Sequence, residues 1–366
     1  QLSNKTREKL DSLRREYTDE CNAAQKRRRI ITVIVIAIVA AIPLLVDQPF
    51  YRNIMTLIFL WGAMAGAWNI LGGYAGRFSL GNAVFFGTGA YTSSILFTKF
   101  GISPWIGMVA GVGVSVVLAL FLGFITLRLR GIFFCLCTIA VLSLFEILAT
   151  HFRPLTGGSE GMLLPFTPSP GNMVFESDLT WAYVMLFFML VVYFLTRWLS
   201  SNALGYRWLA IRENQDAAEA LGINTLSAKL SAFVVSAVLT SIGGTLYAQY
   251  ALFIEPVYVY SMELSTQFAL YAIIGGMGTP LGPILGAAVI TPLSIILRSS
   301  LPQLASGASM LLYAIILIIA ALFFPQGFMQ LFRRIRKRPR KGQNQRQGGT
   351  EQDGRTASAD AVAGEQ

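Results

Sequence analysis

Long apolar runs alternate with short polar connections along most of this chain. A helix needs about 20 apolar residues to cross a bilayer core. Runs near that length fall at residues 30–46, 52–71, 80–97, 104–127, 132–150, 179–198, 230–250, 262–274, 282–297 and 308–324. The pattern predicts an all-α, polytopic membrane protein of about ten transmembrane helices. The third, eighth and ninth runs are short and rich in glycine, so tilted, broken or re-entrant forms stay open for them. A non-crossing hairpin made of the eighth and ninth leaves the count even. Two connections are long enough to carry structure of their own, residues 151–178 and 199–229.

Charge sharpens this picture. The 366 residues are 54% hydrophobic and 13% charged, against roughly 25% charged in a soluble domain. Residues 1–29 hold fourteen charged side chains and residues 333–366 hold thirteen, leaving twenty-one for everything between. The net charge of +10 therefore resides mostly in the two tails. It reads as a topology signal rather than a nucleic-acid footprint. The run Lys26-Arg27-Arg28-Arg29 puts the N-terminal side of the first span in the cytoplasm. Alternation then places Arg77, Arg128, Arg130, Arg197, Arg207, Arg212 and Lys229 inside, and Arg52, Lys99, Arg153 and Arg298 outside. Ten crossings return the chain to the cytoplasm where Arg333, Arg334, Arg336, Lys337 and Arg338 follow.

The organisation expected is a charged cytoplasmic arm over residues 1–29, a transmembrane domain over 30–328, and a cytoplasmic tail over 329–366 that is basic and then disordered. The arm is open to two forms, a surface-lying amphipathic helix or a solvated strand of chain. No cleavable leader is expected, because the first apolar run follows a long charged segment and no small-residue cleavage site follows it. Cys135 and Cys137 lie two apart on an apolar run. On a helix they point to nearly opposite sides, so with Cys21 they read as small apolar fillers and not as a bridge or metal site.

The connection at 199–229 contains the polar stretch "GYRWLAIRENQDAAEALGIN", residues 205–224. Asn214 fits an N-cap, Asp216 favours the positive end of a helix dipole, and Gly222 fits the left-handed position after a helix. The spacing predicts about two helical turns, with Ala217, Ala218 and Leu221 on one small apolar face. Arg212, Glu213, Asp216 and Glu219 surround that face with charge. A helix this short is not stable alone. Either the rim of the bundle or the groove of a partner holds it, and it either tidies a connection or docks.

Five blocks carry a resemblance. "RENQDAAEALGI" (residues 212–223) closely resembles the cytoplasmic coupling-loop signature of the branched-chain amino acid ABC transporter permeases of LivM type. "NILGGYAGRFSLGNAVFFGTGAY" (69–91), "LRLRGIFFCLCTIA" (127–140), "LTGGSEGM" (155–162) and "IIGGMGTPLGPILGA" (273–287) resemble that family's blocks in the same order. The likeness runs from about residue 52 to 328 and leaves out both termini.

The resemblance implies a type II ABC importer-like permease fold in a bacterial inner membrane; the charge pattern above puts both termini in the cytoplasm. It implies half of a pathway for leucine, isoleucine, valine or related amino acids; relatives carry urea or short amides. The implied partners are a LivH-like sister permease, two cytosolic ATPases that hold ATP and magnesium, and a periplasmic solute-binding protein. This chain would bind no cofactor or metal itself and would not be an enzyme. Arg212, Glu213, Asn214, Asp216, Ala217, Ala218, Glu219, Ala220, Leu221 and Gly222 would couple to the ATPase. Thr156, Gly157, Gly158, Ser159 and Glu160 of the periplasmic loop would contact the binding protein or shape an outer gate; the bland alternative is a flexible turn.

Other features remain two-sided. The glycine-rich spans suit close helix packing in lipid. They also suit broken backbone lining a cavity, with Asn69, Gly76, Ser79, Gly81 and Asn82 facing a solute. Glu146 lies in an apolar span, where an acidic side chain faces a cavity or partner unless it reaches the outer surface near His151 and Arg153. Gly72, Gly73 and Gly76 form no phosphate loop, because no Lys-Ser/Thr follows and no strand precedes. A secondary transporter would carry coupling charges at mid-membrane and an internal repeat, and neither is convincing here. A single histidine and no carboxylate cluster within the spans argue against an embedded enzyme.

Overall fold

The computed structural model describes residues 39–300, with side chains described through residue 296. The arm, the tail, the last expected span and most of the first lie outside the described residues. After a helix over residues 39–45, the chain forms α1 (Pro49–Asn69), α2 (Asn82–Phe100), α3 (Pro104–Thr126), α4 (Ile132–His151) and α5 (Asp178–Ser200). Two shorter helices follow, α6 (Ala203–Glu213) and α7 (Gln215–Ala220), and then α8 (Thr225–Ala251), α9 (Met262–Gly276) and α10 (Gly282–Ser300). Each of the eight expected spans from 52–71 to 282–297 falls on one of α1–α5 or α8–α10.

Helix α1 is the centre. It packs against α5, α8, α9 and α10, and Leu60, Met64 and Trp68 are fully buried along it. Its last turn widens into a π-helical segment, Ile70–Tyr74, in which the Ala75 N–H donates to the Ile70 carbonyl at 3.2 Å. Helices α2, α3 and α8 form the other packed unit. There the driving pattern is small residues, since apolar burial gives little drive inside lipid and close van der Waals approach replaces it. On α3, Gly107, Gly111, Ser115, Ala119 and Gly123 recur every fourth residue and are buried, while Ile106, Val109, Val117 and Phe121 point outward. A Cβ at Gly89 of α2 would lie 2.1 Å from the Ser241 carbonyl oxygen, and one at Gly244 of α8 would lie 2.0 Å from that of Phe86. Close packing is thus the use made of these two glycines.

Among the described residues, five helices are long and apolar enough to cross a membrane: α1 with its π turn, α3, α4, α5 and α8. Helix α9 has 15 residues, about 22 Å of rise against a core of roughly 30 Å. It joins α10 through the turn at residues 277–281. At the end of the bundle remote from α6 and α7, two short strands, β1 (Met162–Leu163) and β2 (Phe253–Ile254), pair antiparallel with Met162 opposite Ile254. They tie the 151–178 connection to the segment between α8 and α9.

Candidate functional site

The basic end of the bundle carries α6 and α7. The sequence pattern predicts one short helix there, and the structure has two, divided at Asn214. Helix α6 was illegible because apolar residues lie all around it: Trp208 and Ile211 are buried, while Tyr206 and Leu209 are exposed. Trp208 anchors it, its indole N–H donating to the Ala228 carbonyl at 2.9 Å and to Ser231 Oγ at 3.0 Å. Asn214 has extended backbone and caps α7, its Oδ1 accepting from the Ala217 N–H at 3.1 Å. Gly222, with φ +82°, ends it. The Ile223 N–H donates to the Ala218 carbonyl at 3.0 Å and the Gly222 N–H to that of Glu219 at 2.9 Å. This is the Schellman arrangement, which needs a residue free to adopt positive φ.

The rim of the bundle holds α7 by one side. Gln215 Oε1 accepts from both Arg77 and Lys229, the latter at 2.7 Å. The Gln215 amide donates to Glu219 Oε1 at 2.9 Å, and the Thr225 hydroxyl donates to the same oxygen at 2.6 Å. These two hydrogen bonds hold the Glu219 carboxyl below its ordinary range. Arg130 pairs with Asp216 at 3.4 Å, both largely exposed, so this pair orients more than it stabilises. The expected apolar face divides. Ala218 is 2% exposed and faces the bundle, whereas Leu221 is 82% exposed and Ala217 and Ala220 are exposed with it. One side of α7 is seated and the other is exposed.

Arg212, the next-to-last residue of α6, is exposed at the surface, yet its guanidinium turns the other way, toward the π segment. One guanidinium nitrogen donates to the Gly73 carbonyl at 2.7 Å, inside the π segment. Asn69 lies beside it and is fully buried. Its Oδ1 accepts from the Gly278 N–H at 2.9 Å and its Nδ2 donates to the Thr279 carbonyl at 3.0 Å. Ser79, Gly81 and Asn82 are buried on the link into α2. The Ser79 carbonyl accepts from Trp68 Nε1 at 2.7 Å, a Cβ at Gly81 would meet the Thr138 carbonyl oxygen at 2.9 Å, and Asn82 Nδ2 donates to Ser236 Oγ at 3.0 Å. Asn82 Oδ1 is buried with no partner among the described residues. Gly76 is exposed and abuts Arg212.

A bundle of this make, with a polar helix seated at one end, matches one family along most of its length. The family described as "Branched-chain amino acid transport system / permease component" matches residues 50–321. The chain belongs to it. Among its relatives are the proteins named "High-affinity branched-chain amino acid transport system permease protein LivM" of Salmonella typhimurium strain LT2 and Escherichia coli strain K12. Each is 25% identical to this chain, and the match covers 84% of this chain and 76% of the relative. No solved structure matches the chain.

At the far end of the permease the Thr156–Glu160 segment is folded tightly. Thr156 Oγ1 donates to the Ala149 carbonyl and accepts from the Gly158 N–H at 3.2 Å. Gly157, Gly158 and Gly161 all have positive φ. Thr156 and Gly158 are buried, and Ser159 and Glu160 are exposed. Glu146 is half-buried on α4. Among the described residues, ion pairs join Arg52 to Asp47 and Arg130 to Asp216, and Glu146 is in neither.

Sequence reasoning missed the residues that organise the permease's basic end: Gln215, Arg77, Lys229, Gly73 and Gly278. One signal was available. Lys229 lies in the second turn of an apolar helix, and a lysine there requires a partner once it is buried, as its 3% exposure shows it to be. Gln215, fourteen residues earlier, is that partner.

Proposed function

We propose that this permease is one transmembrane half of an ATP-driven importer for branched-chain or related amino acids. Its basic end faces the cytoplasm, and residues 214–222 dock into a cytosolic ATPase. The observation that carries this reading is the two-sided seating of α7. Gln215 and Glu219 bind it to the rim, while Leu221, Ala217 and Ala220 leave a small apolar surface open to a partner. A second, sister permease completes the pathway, two ATPases hold ATP and magnesium, and a solute-binding protein docks at the opposite end around Ser159 and Glu160. Asn69, Gly76, Ser79, Gly81, Asn82 and Glu146 are the candidates for contact with the solute's route. A short rigid helix presenting small side chains lets a partner approach closely, so motion of the partner reaches α6 and α8 through α7.

Reconstitution in liposomes with the candidate sister permease, ATPases and binding protein tests the proposal. Uptake of labelled leucine, isoleucine or valine should require ATP. A Gly222→Trp variant should insert normally yet lose most uptake, with hydrolysis no longer stimulated by loaded binding protein. Uptake without ATP points to a secondary transporter and overturns the proposal. Uptake of urea or short amides in place of amino acids overturns its substrate part.

A further inference from the structure

Arg212 stands at the junction of three breaks in the helical bundle. One is the non-helical residue Asn214 between α6 and α7. The second is the π segment Ile70–Tyr74 at the end of the central helix. The third is the turn at residues 277–281 between α9 and α10. The Arg212 side chain runs along Gly76, where a Cβ would lie 3.0 Å from its Cγ and 3.3 Å from its Cα. Its guanidinium donates to the Gly73 carbonyl and lies over Gly278, where a Cβ would lie 2.5 Å from the same nitrogen. Gly73 in turn abuts the Gly278 N–H, 2.6 Å from where its own Cβ would be, and that N–H donates to Asn69. Gly76 and Gly278 both hold positive φ, +67° and +72°. Gly76 and Gly278, from two distant segments, thus clear room for one arginine that belongs to neither, while Gly73 gives it a carbonyl and clears room for Asn69 and the Gly278 N–H.

The chemistry of the contact suits a joint. A carbonyl in a π segment is offset from the regular i→i+4 ladder, and Gly73 offers its oxygen to a charged donor, a stronger contact than a neutral pair. Packed elements of this kind switch between discrete arrangements rather than deforming smoothly. We infer that Arg212 is a positioning residue that transmits displacement of α7 to the end of α1 and the α9–α10 turn, and that its work lies inside the permease and not at the ATPase surface. This rests on the proposal that residues 214–222 dock an ATPase.

The test uses the full transporter complex in proteoliposomes, with Arg212→Ala, Arg212→Lys, Gly278→Ala and the double variant Arg212→Ala/Gly278→Ala. With Arg212→Ala the ATPases should still co-purify at wild-type stoichiometry, while ATP hydrolysed per substrate imported rises at least ten-fold. Arg212→Lys, which keeps a charged donor, should recover most of the wild-type ratio. Gly278→Ala displaces the guanidinium without touching α6 or α7, at the cost of strain on a residue of positive φ, and should reproduce the Arg212→Ala ratio. The double variant should be no worse than either single one, because both remove one contact. Loss of co-purifying ATPase in Arg212→Ala, an unchanged ratio, or additive effects in the double variant each overturn the inference. Wild-type uptake that needs no ATP sinks the functional proposal instead, so the two failures are distinct. Should Arg212→Ala fail to insert, the Gly278→Ala and Arg212→Lys ratios decide.

Discussion

Three glycines of this permease have the same composition and three different environments, so alanine at each is a graded test of the packing argument. At Gly244 of α8 the added Cβ would lie 2.0 Å from the Phe86 carbonyl oxygen and 3.0 Å from the Phe86 Cα. Both are backbone atoms of α2, so relief requires the two helices to part. Overpacking of this kind costs about 1–3 kcal/mol, and the upper part of that range applies where no side chain can rotate away. At neighbouring Gly243 the obstacle is Met64 Cε at 2.1 Å, the far end of a flexible side chain. Methionine re-packs readily, so the cost there should fall near 1 kcal/mol or below. At Gly113 of α3 nothing lies within 4 Å, and alanine should be neutral or stabilise by up to about 1 kcal/mol through helix propensity. The expected gap between Gly244→Ala and Gly113→Ala is about 2–4 kcal/mol. That is about 25-fold or more in the folded-to-unfolded ratio, taking about 1.4 kcal/mol per factor of ten. Unfolding of the purified permease in mixed micelles, driven by rising SDS and followed by tryptophan fluorescence, reads this gap as an ordered series of midpoints: Gly113→Ala highest, Gly243→Ala next and Gly244→Ala lowest. Equal midpoints for Gly244→Ala and Gly113→Ala would refute the claim that α2 and α8 touch backbone to backbone.

Asn69→Leu keeps the side-chain size but strands the Gly278 N–H and the Thr279 carbonyl at a half-buried turn. At the lower end of about 1–3 kcal/mol for each unpaired group, since both are half-buried, it should lower the same SDS midpoint by an amount equivalent to about 2 kcal/mol, and an unshifted midpoint would show that the α9–α10 turn is not pinned there. Gly222→Ala puts a Cβ on a left-handed residue at about 1–2 kcal/mol. Amide exchange at Gly222 and Ile223 should quicken roughly five- to thirty-fold, with Gly222→Asn milder; unchanged exchange counts against the Schellman cap. Glu219, normally near 4.5, is held lower by Thr225 and Gln215. A carboxyl depressed in the folded state stabilises above its unfolded pKa and loses that contribution as pH falls through the folded value. The seating of α7 should therefore hold at neutral pH and loosen only below the usual carboxylate range, and Thr225→Val should move that loosening upward. Hydrogen exchange of residues 214–224 against pH checks it, with an identical profile in both proteins as the contrary result.

Much of the basic end was legible because its signals are local. Asn214, Asp216 and Gly222 announce a capped helix within nine residues, and the caps form through bonds that span only three to five residues. Helix α6 escaped because its buried residues, Gly205, Trp208 and Ile211, are interleaved with exposed Leu204, Tyr206 and Leu209, so no polar face marks it. The apolar face assigned to Ala217, Ala218 and Leu221 was only partly right for a similar reason. Periodicity shows which side chains share a face, and it does not show which way the face turns.

Spans, family and caps follow from order along the chain, because desolvating a backbone in lipid demands helices of a given length and a cap bonds to its own neighbours. The pairing of Gln215 with Arg77 and Lys229, and the gathering of Gly73, Gly76 and Gly278 around Arg212, were settled only in three dimensions. Those partners lie up to about two hundred residues apart. Glycine reads the same whether it clears room for a helix, a carbonyl or an arginine, and only the packed neighbours distinguish the three.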